Sequence, residues 1–214
     1  MSIWDSIRIL LERLCVVLVL VYLVSRSPFF RQVLQRRFTL LNTTVLIVFF
    51  GALAIYGTIA GVPVLGAIAN FRDLAPMFAG LVGGPVIGIG VGLIGAIHRF
   101  SLDGLTGIAC PLATLLAGLI GGLIWLAAKQ QFVGFGRAVF FVILMEGLHM
   151  LLILLIARPY DQALALVEQI ALPMIVVNAV GMAFLSWLLI SYQGEQRDRE
   201  ELKRLRGLVQ TPRP

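Results

Sequence analysis

The chain has 214 residues, 59% hydrophobic and 13% charged, with a net charge of +6. A soluble domain carries about a quarter charged residues, so the composition argues against a water-soluble enzyme and for a single polytopic membrane bundle. The positive excess is first an orientation signal, because Lys and Arg collect in cytoplasmic loops; no basic surface interleaved with aromatics points to nucleic acid.

Six hydrophobic segments follow one another, at roughly 6–24, 41–60, 74–98, 104–127, 137–157 and 170–192. Each is near the ~20 residues of a spanning helix. The first, "LCVVLVLVYLV", runs into Ser25-Arg26-Ser27-Pro28 rather than a small-residue cleavage site, so no signal peptide is expected. The loop after it carries Arg26, Arg31, Arg36 and Arg37. The loop after the fourth carries Lys129 and Arg137, and the tail carries Arg197, Arg199, Lys203, Arg204 and Arg206. Six simple spans would put the first loop and the tail on opposite sides, against the loop-charge rule.

A re-entrant hairpin in the third segment restores the parity. Gly83-Gly84-Pro85 lies near its middle, where a helix readily breaks. The basic regions are then inside, the N-terminus is outside, and Arg72 and Arg99 share the outer side. The alternative is one continuous span, in which Gly80, Gly84, Gly88, Gly92 and Ala96 form a small-residue packing groove. The expected fold is therefore all-α: a polytopic membrane helix bundle of six spans, or of five spans plus a re-entrant helical hairpin at 74–98. "MFAGLVGG" (77–84) also resembles "LLAGLIGG" (115–122), 38 residues on, either by chance or as a duplicated unit around a shared site.

Ionisable and amide side chains in a bilayer are expensive and mark function. They fall in groups: Asn70, Arg72 and Asp73; His98, Arg99 and Asp103; Cys110 with Thr114; Glu146 with His149; and Asn178. Arginines near helix ends can simply snorkel. Yet two guanidiniums in short polar connectors, beside hydroxyl, thiol and amide groups, suit a small carboxylate gripped by parallel hydrogen bonds. Asp73 and Asp103 could instead neutralise the two arginines.

Glu146 and His149 share a helix face. One such pair falls short of the two copies a helical-bundle metal site uses, so an interhelical hydrogen bond is expected, with Asn178 in a similar supporting role. No metal or cofactor is expected. Pro173 is expected to kink or start the last helix. Cys15 and Cys110 lie in or at the start of apolar runs, which argues against a structural disulfide. No P-loop, nucleophile elbow or zinc spacing occurs, so the chain itself is expected to be no enzyme.

The tail, "GEQRDREELKRLRGLV", has a helical composition. Glu195 with Arg199 and Glu200 with Arg204 are i,i+4 pairs, and Leu202, Leu205 and Val209 have coiled-coil spacing. It reads as a two-stranded coil in a homodimer or as a basic stub on anionic lipid, with Gly194 a possible bend.

The stretch "ANFRDLAPMFAGLVGGPVIGIGVGLIGAIHRFSLDGLTGIACPLATLLAGLIGGL" is similar to the core of the LytS-type (LytS/YhcK) five-transmembrane receptor domain: N-x-R, a Gly-Pro segment, G-x-H-R and A-C before a glycine-rich helix. "LVEQIALPMIVVNAVG" resembles that family's last helix. The resemblance implies a leading transmembrane helix at 1–28, a five-transmembrane receptor domain at 29–192 and, at 193–214, a cytoplasmic basic helical tail or the stub of a signalling linker. It implies a sensor in the bacterial cytoplasmic membrane with its C-terminus inside, feeding a histidine kinase or a diguanylate cyclase. It further implies sensing of pyruvate, control of cell-wall or carbon metabolism, and a ligand site at Arg72, Arg99 and Cys110. Where pyruvate-sensing relatives have a serine three residues after the cysteine, this chain has Ala113; Thr114 is adjacent, about 100° around a helix. The residues expected to bind are thus Arg72, Arg99, Cys110, Asn70, Thr114 and His98, supported by Glu146, His149 and Asn178. The rival reading is a transporter or the substrate-binding membrane subunit of an uptake system.

Overall fold

The computed structural model describes residues 2–36 and 38–210, with the side chains of 200, 203, 204 and 206–210 outside that description. Arg37, Val209 and the Glu200–Arg204 pair therefore lie outside what is described. The elements in order are α1 (Ile3–Ser25), α2 (Pro28–Leu34), α3 (Leu40–Ile59), strands β1 (Val62–Val64) and β2 (Ala67–Ala69), α4 (Leu74–Phe100), α5 (Ala109–Ala127), α6 (Phe135–Ile156) and α7 (Tyr160–Gln210). The all-α membrane bundle expected from the sequence is what the chain forms.

Five helices are long and apolar enough to cross a membrane: α3, α4, α5, α6 and α7. The leading helix, α1, is not among them, because Asp5, Arg8, Glu12 and Arg13 occupy its first half. It packs along α7, burying Leu10, Leu14, Val17 and Val21.

Although α4 is long enough to span, it turns back on itself at Gly84. That residue has φ 81° and ψ −174°, a backbone region open essentially to glycine alone. In a straight helix residues 80 and 88 would be about 12 Å apart; here a Cβ on Gly88 would stand only 2.9 Å from Gly80 Cα. Residues 74–83 and 85–100 are thus two antiparallel limbs, roughly 15 and 24 Å long, each shorter than a ~30 Å hydrocarbon layer. Pro85 opens the second limb, at the position where a missing N–H costs least.

The continuous-span alternative is therefore corrected. The glycines do not line one straight groove; they let the limbs and α5 meet backbone to backbone. A Cβ on Gly80 would lie 2.6 Å from Gly118 O, and one on Gly118 would overlap the Gly88 carbonyl. Gly80 and Gly118 are equivalent positions in the 38-residue similarity, so the two similar segments pack on each other.

The fold-back places the basic regions at one end. Arg26 pairs with Glu195 at 2.9 Å, and Arg31 Nε donates to the Tyr192 hydroxyl at 3.1 Å. A cavity there is lined by Arg31, Arg36, Gln130 and Arg197, with Trp125 and Tyr192. The hairpin tip reaches the same end, since Trp125 is the neighbour a Cβ on Gly84 would strike. At the opposite end, Arg13 of α1 donates to the Ala60 and Gly61 carbonyls at 2.9 and 2.8 Å. The small antiparallel pair β1–β2 lies there as well, closed by Leu65-Gly66 with both residues at positive φ.

Two further expectations change. The last helix begins at Tyr160, not Pro173, and runs unbroken through Pro173 and Gly194 to Gln210. Glu195 turns to Arg26 rather than forming the expected intrahelical pair with Arg199.

Candidate functional site

Asn70–Asp73 carry the chain from β2 into α4. Asn70 Oδ1 accepts from the Arg72 backbone N–H at 3.0 Å, and Asn70 Nδ2 donates to Ile68 O at 2.7 Å, an Asx-type turn that fixes where Arg72 starts. From α7, Asn178 Nδ2 donates to Met174 O at 3.0 Å and to Asn70 O at 3.4 Å. Both amides thus bond to backbone, and their role is to position the connector.

Arg72 is fully buried. Its Nε lies 3.1 Å from Asp73 Oδ1 and 2.6 Å from Thr114 Oγ1. The single Thr114 hydroxyl proton is shared between Asp73 Oδ1, at 2.6 Å, and Cys110 O, at 2.9 Å. Arg72 Nη1 and Nη2 have no hydrogen-bond partner among the described residues. Asp73 Oδ2 approaches Nδ1 of His149, on α6, at 2.9 Å, close but not aligned as a hydrogen bond. His149 Nε2 lies 3.1 Å from Cys110 Sγ. Glu146 Oε2 stands 3.7 Å from His149 Nδ1, and neither Glu146 oxygen has a hydrogen bond among the described residues. Burial pushes the Asp73 carboxyl up, but Arg72 and then His149 outweigh it and hold Asp73 below the usual carboxylate range.

Arg99, near the end of α4, is also buried, at 2% exposure. Its Nη1 donates to Asp103 O at 2.8 Å and its Nη2 to Thr106 Oγ1 at 2.7 Å, leaving Nε without a partner among the described residues. The idea that Asp103 neutralises Arg99 is therefore corrected, since Asp103 offers its backbone carbonyl. Among the described residues Arg99 forms no ion pair, and a buried cation without an anion carries a large desolvation cost.

The arginines converge on one strip of the chain. Thr106, Cys110 and Thr114 follow at i, i+4 and i+8; the Cys110 N–H donates to Thr106 O at 3.1 Å, so the helical turn already begins at Thr106. Arg99 holds the first residue of the strip, Arg72 holds the last, and His149 touches Cys110 between them. His98, half-buried and one position off the Arg99 face, has an Nδ1 without a hydrogen-bond partner among the described residues.

Of the residues expected to bind, Arg72, Cys110 and Thr114 form one hydrogen-bonded cluster, which Arg99 joins through Thr106; Asn70 supports from behind. The helix pair Glu146–His149 comes right into the cluster. Asp73 and Thr106 were not among the expected site residues, yet both sit inside it. The spacing 106/110/114 was the signal available for Thr106. Asp73, Glu146 and His149 present metal-ligand atoms within 4.8 Å of one another, but Arg72 already supplies the positive charge beside Asp73.

Residues 27–191 match the family model described as the 5TMR of 5TMR-LYT. The chain belongs to this family. It is 37% identical to the sensor histidine kinase BtsS of Escherichia coli (strain K12) over 198 residues, 87% of this chain and 34% of that protein. It is 32% identical to the sensor protein LytS of Bacillus subtilis (strain 168), over 89% of this chain and 35% of that protein. It is 30% identical to the sensor histidine kinase/phosphatase LytS of Staphylococcus aureus (strain Mu50 / ATCC 700699), over 86% of this chain and 34% of that protein. No solved structure matches it. The chain thus spans about a third of the length of these relatives, and with them it is a multi-pass membrane protein of the sensor type used in two-component signalling.

Proposed function

We propose that this chain is a receptor module that binds a small carboxylate, such as pyruvate, between Arg72 and Arg99 and passes its state along α7 to a cytoplasmic output. The observation that carries this reading is Arg99: buried and, among the described residues, without an ion pair and with no partner for its Nε–H, while Arg72 Nη1 and Nη2 likewise have none. Asp73 balances one of the two positive charges, and a ligand carboxylate balances the other. The relatives' names supply the output class, a histidine kinase, with a cyclase as the variant implied by the LytS-type resemblance.

The orientation follows from charge. Arg26, Arg31, Arg36 and Arg197 share one end, which is the cytoplasmic end by the loop-charge rule, leaving the carboxylate site at the outer end. Leu202 and Leu205 are more than half exposed on the tail helix, at 54% and 52%, which suits pairing with a second copy as a homodimer. Ligand binding acts only so far as it prefers one packing of these helices over another.

The test is thermal unfolding of the purified chain with and without pyruvate-like acids. Stabilisation by the acid is expected for the unsubstituted protein and lost in Arg72→Ala and in Arg99→Ala; a response retained in both variants overturns the site. Transport is the second reading, favoured by one observation: a helix broken within the bundle at Gly84, as in many carriers. Accumulation of labelled acid in sealed vesicles would establish it at the expense of the receptor.

A further inference from the structure

The site holds a nucleophile that charge pairing with a carboxylate leaves unused. Cys110 Sγ lies 3.1 Å from His149 Nε2, and His149 Nδ1 stands 2.9 Å from Asp73 Oδ2, close enough for a small ring rotation to align the pair. Thiol, imidazole and carboxylate in that order form the arrangement that prepares a cysteine to attack a carbonyl carbon, with the histidine as proton carrier and the carboxylate as its orienting partner. The three come from α5, α6 and the connector before α4, and all are buried, at 5, 1 and 3% exposure. Arg72 Nε lies 2.6 Å from Thr114 Oγ1, which stands 2.9 Å from Cys110 O, so the guanidinium borders Cys110, and its Nη1 and Nη2 have no hydrogen-bond partner among the described residues. A carboxylate seated on those nitrogens brings whatever carbon it is bonded to toward the Cys110 sulfur. In a 2-oxo acid that carbon is an electrophilic ketone, and holding it beside the thiol replaces an encounter with a unimolecular step.

We propose that the site selects 2-oxo acids by reversible covalent capture, Cys110 adding to the 2-carbonyl to give a tetrahedral hemithioketal. This rests on the carboxylate reading of Arg72 and Arg99. In the step a carbon–sulfur bond forms and the carbonyl π bond breaks, its electron pair moving to oxygen. The thiol proton passes through His149 to that oxygen. Nothing is oxidised or reduced, nothing leaves, and reversal returns the acid unchanged. A 2-hydroxy acid or a plain carboxylate satisfies the arginines but offers no carbon for the sulfur.

The experiment uses the full chain in detergent with pyruvate labelled with carbon-13 at the carbonyl carbon, and lactate and propionate for comparison. The bound label is expected to move from the ketone range to that of a tetrahedral carbon. Pyruvate is expected to bind roughly tenfold more tightly than lactate. Cys110→Ser and Cys110→Ala should both bring the two acids to equal affinity, and Cys110→Ala should leave bound pyruvate trigonal. Bound pyruvate with a trigonal carbon in the unsubstituted protein overturns covalent capture while leaving the carboxylate site standing. A tetrahedral signal that survives Cys110→Ala also overturns it, since hydration of the ketone then explains the carbon. Melting that none of the three acids changes removes the carboxylate reading and the capture with it.

Discussion

The two ends of the bundle both concentrate arginine, yet they use it in opposite ways. At one end Arg31, Arg36 and Arg197 border a cavity, and the neighbouring Arg26–Glu195 pair is 43% exposed on both sides. At the other end Arg72 and Arg99 are themselves buried, and Arg72 Nε and Arg99 Nη2 end on the buried hydroxyls of Thr114 and Thr106. The charge is the same, but at the first end it is largely solvated, while at the second it is desolvated and is held by specific partners. Substitutions separate the two kinds of arginine, beginning with those that break the scaffold beneath the buried ones.

The largest effect is expected from Gly118→Leu. A side chain there has no room against the Gly88 carbonyl, and the contact joins both limbs of the α4 hairpin to α5. Loss of folded, monodisperse protein on size-exclusion chromatography is expected, whereas Gly136→Leu, which meets open space at the start of α6, should be tolerated. Next comes Arg72→Ala, which leaves Asp73 buried without its guanidinium; breaking such a pair costs about 3–5 kcal/mol, to be read from denaturant unfolding in detergent. Asp73→Asn tests the same pair from the other side and should also lower stability.

How much of this could be read in advance depended on which interactions were local. The hairpin was legible because Gly83-Gly84-Pro85 and the distribution of arginines in the loops both lie in plain sequence. The cluster at Arg72, Arg99 and Cys110 was legible as a set of misplaced polar residues. Its wiring was not. His149 and Cys110 are 39 residues apart, Arg72 and Thr114 are 42 apart, and nothing in a spacing pattern says that α6 turns its histidine onto α5. Asp103 illustrates the same limit, because its carboxylate looked like the natural partner of Arg99 and the chain presents its carbonyl instead. The strands β1 and β2 were missed for another reason: three residues each is too short for an alternation to stand out, although Leu65-Gly66 marks the turn.

A smaller effect is expected from Thr114→Val. The change keeps the shape of the side chain and removes only the hydroxyl that accepts from Arg72 Nε and lies 2.6 Å from Asp73 Oδ1. One buried hydrogen-bonding group lost beside charged partners costs about 1–3 kcal/mol. The same denaturant titration should therefore place Thr114→Val between Arg72→Ala and the unsubstituted protein. A loss equal to that of Arg72→Ala would mean that the hydroxyl, not the ion pair, organises the cluster.

The smallest effect is expected from Arg26→Gln at the opposite end, and it makes the contrast quantitative. Arg26 donates to Glu195 at 2.9 Å and lies over the Tyr22 and Tyr192 rings, so by distance alone it is as well placed as Arg72. What differs is water. Each partner can be solvated when the pair opens, and dissolved salt screens their attraction. Unfolding of Arg26→Gln should therefore be indistinguishable from that of the unsubstituted chain, and raising the salt concentration should change neither. If Arg26→Gln instead destabilised the fold as Arg72→Ala does, the pairing of α1 with α7 would be a structural clasp, and the division between solvated and desolvated arginines would fail.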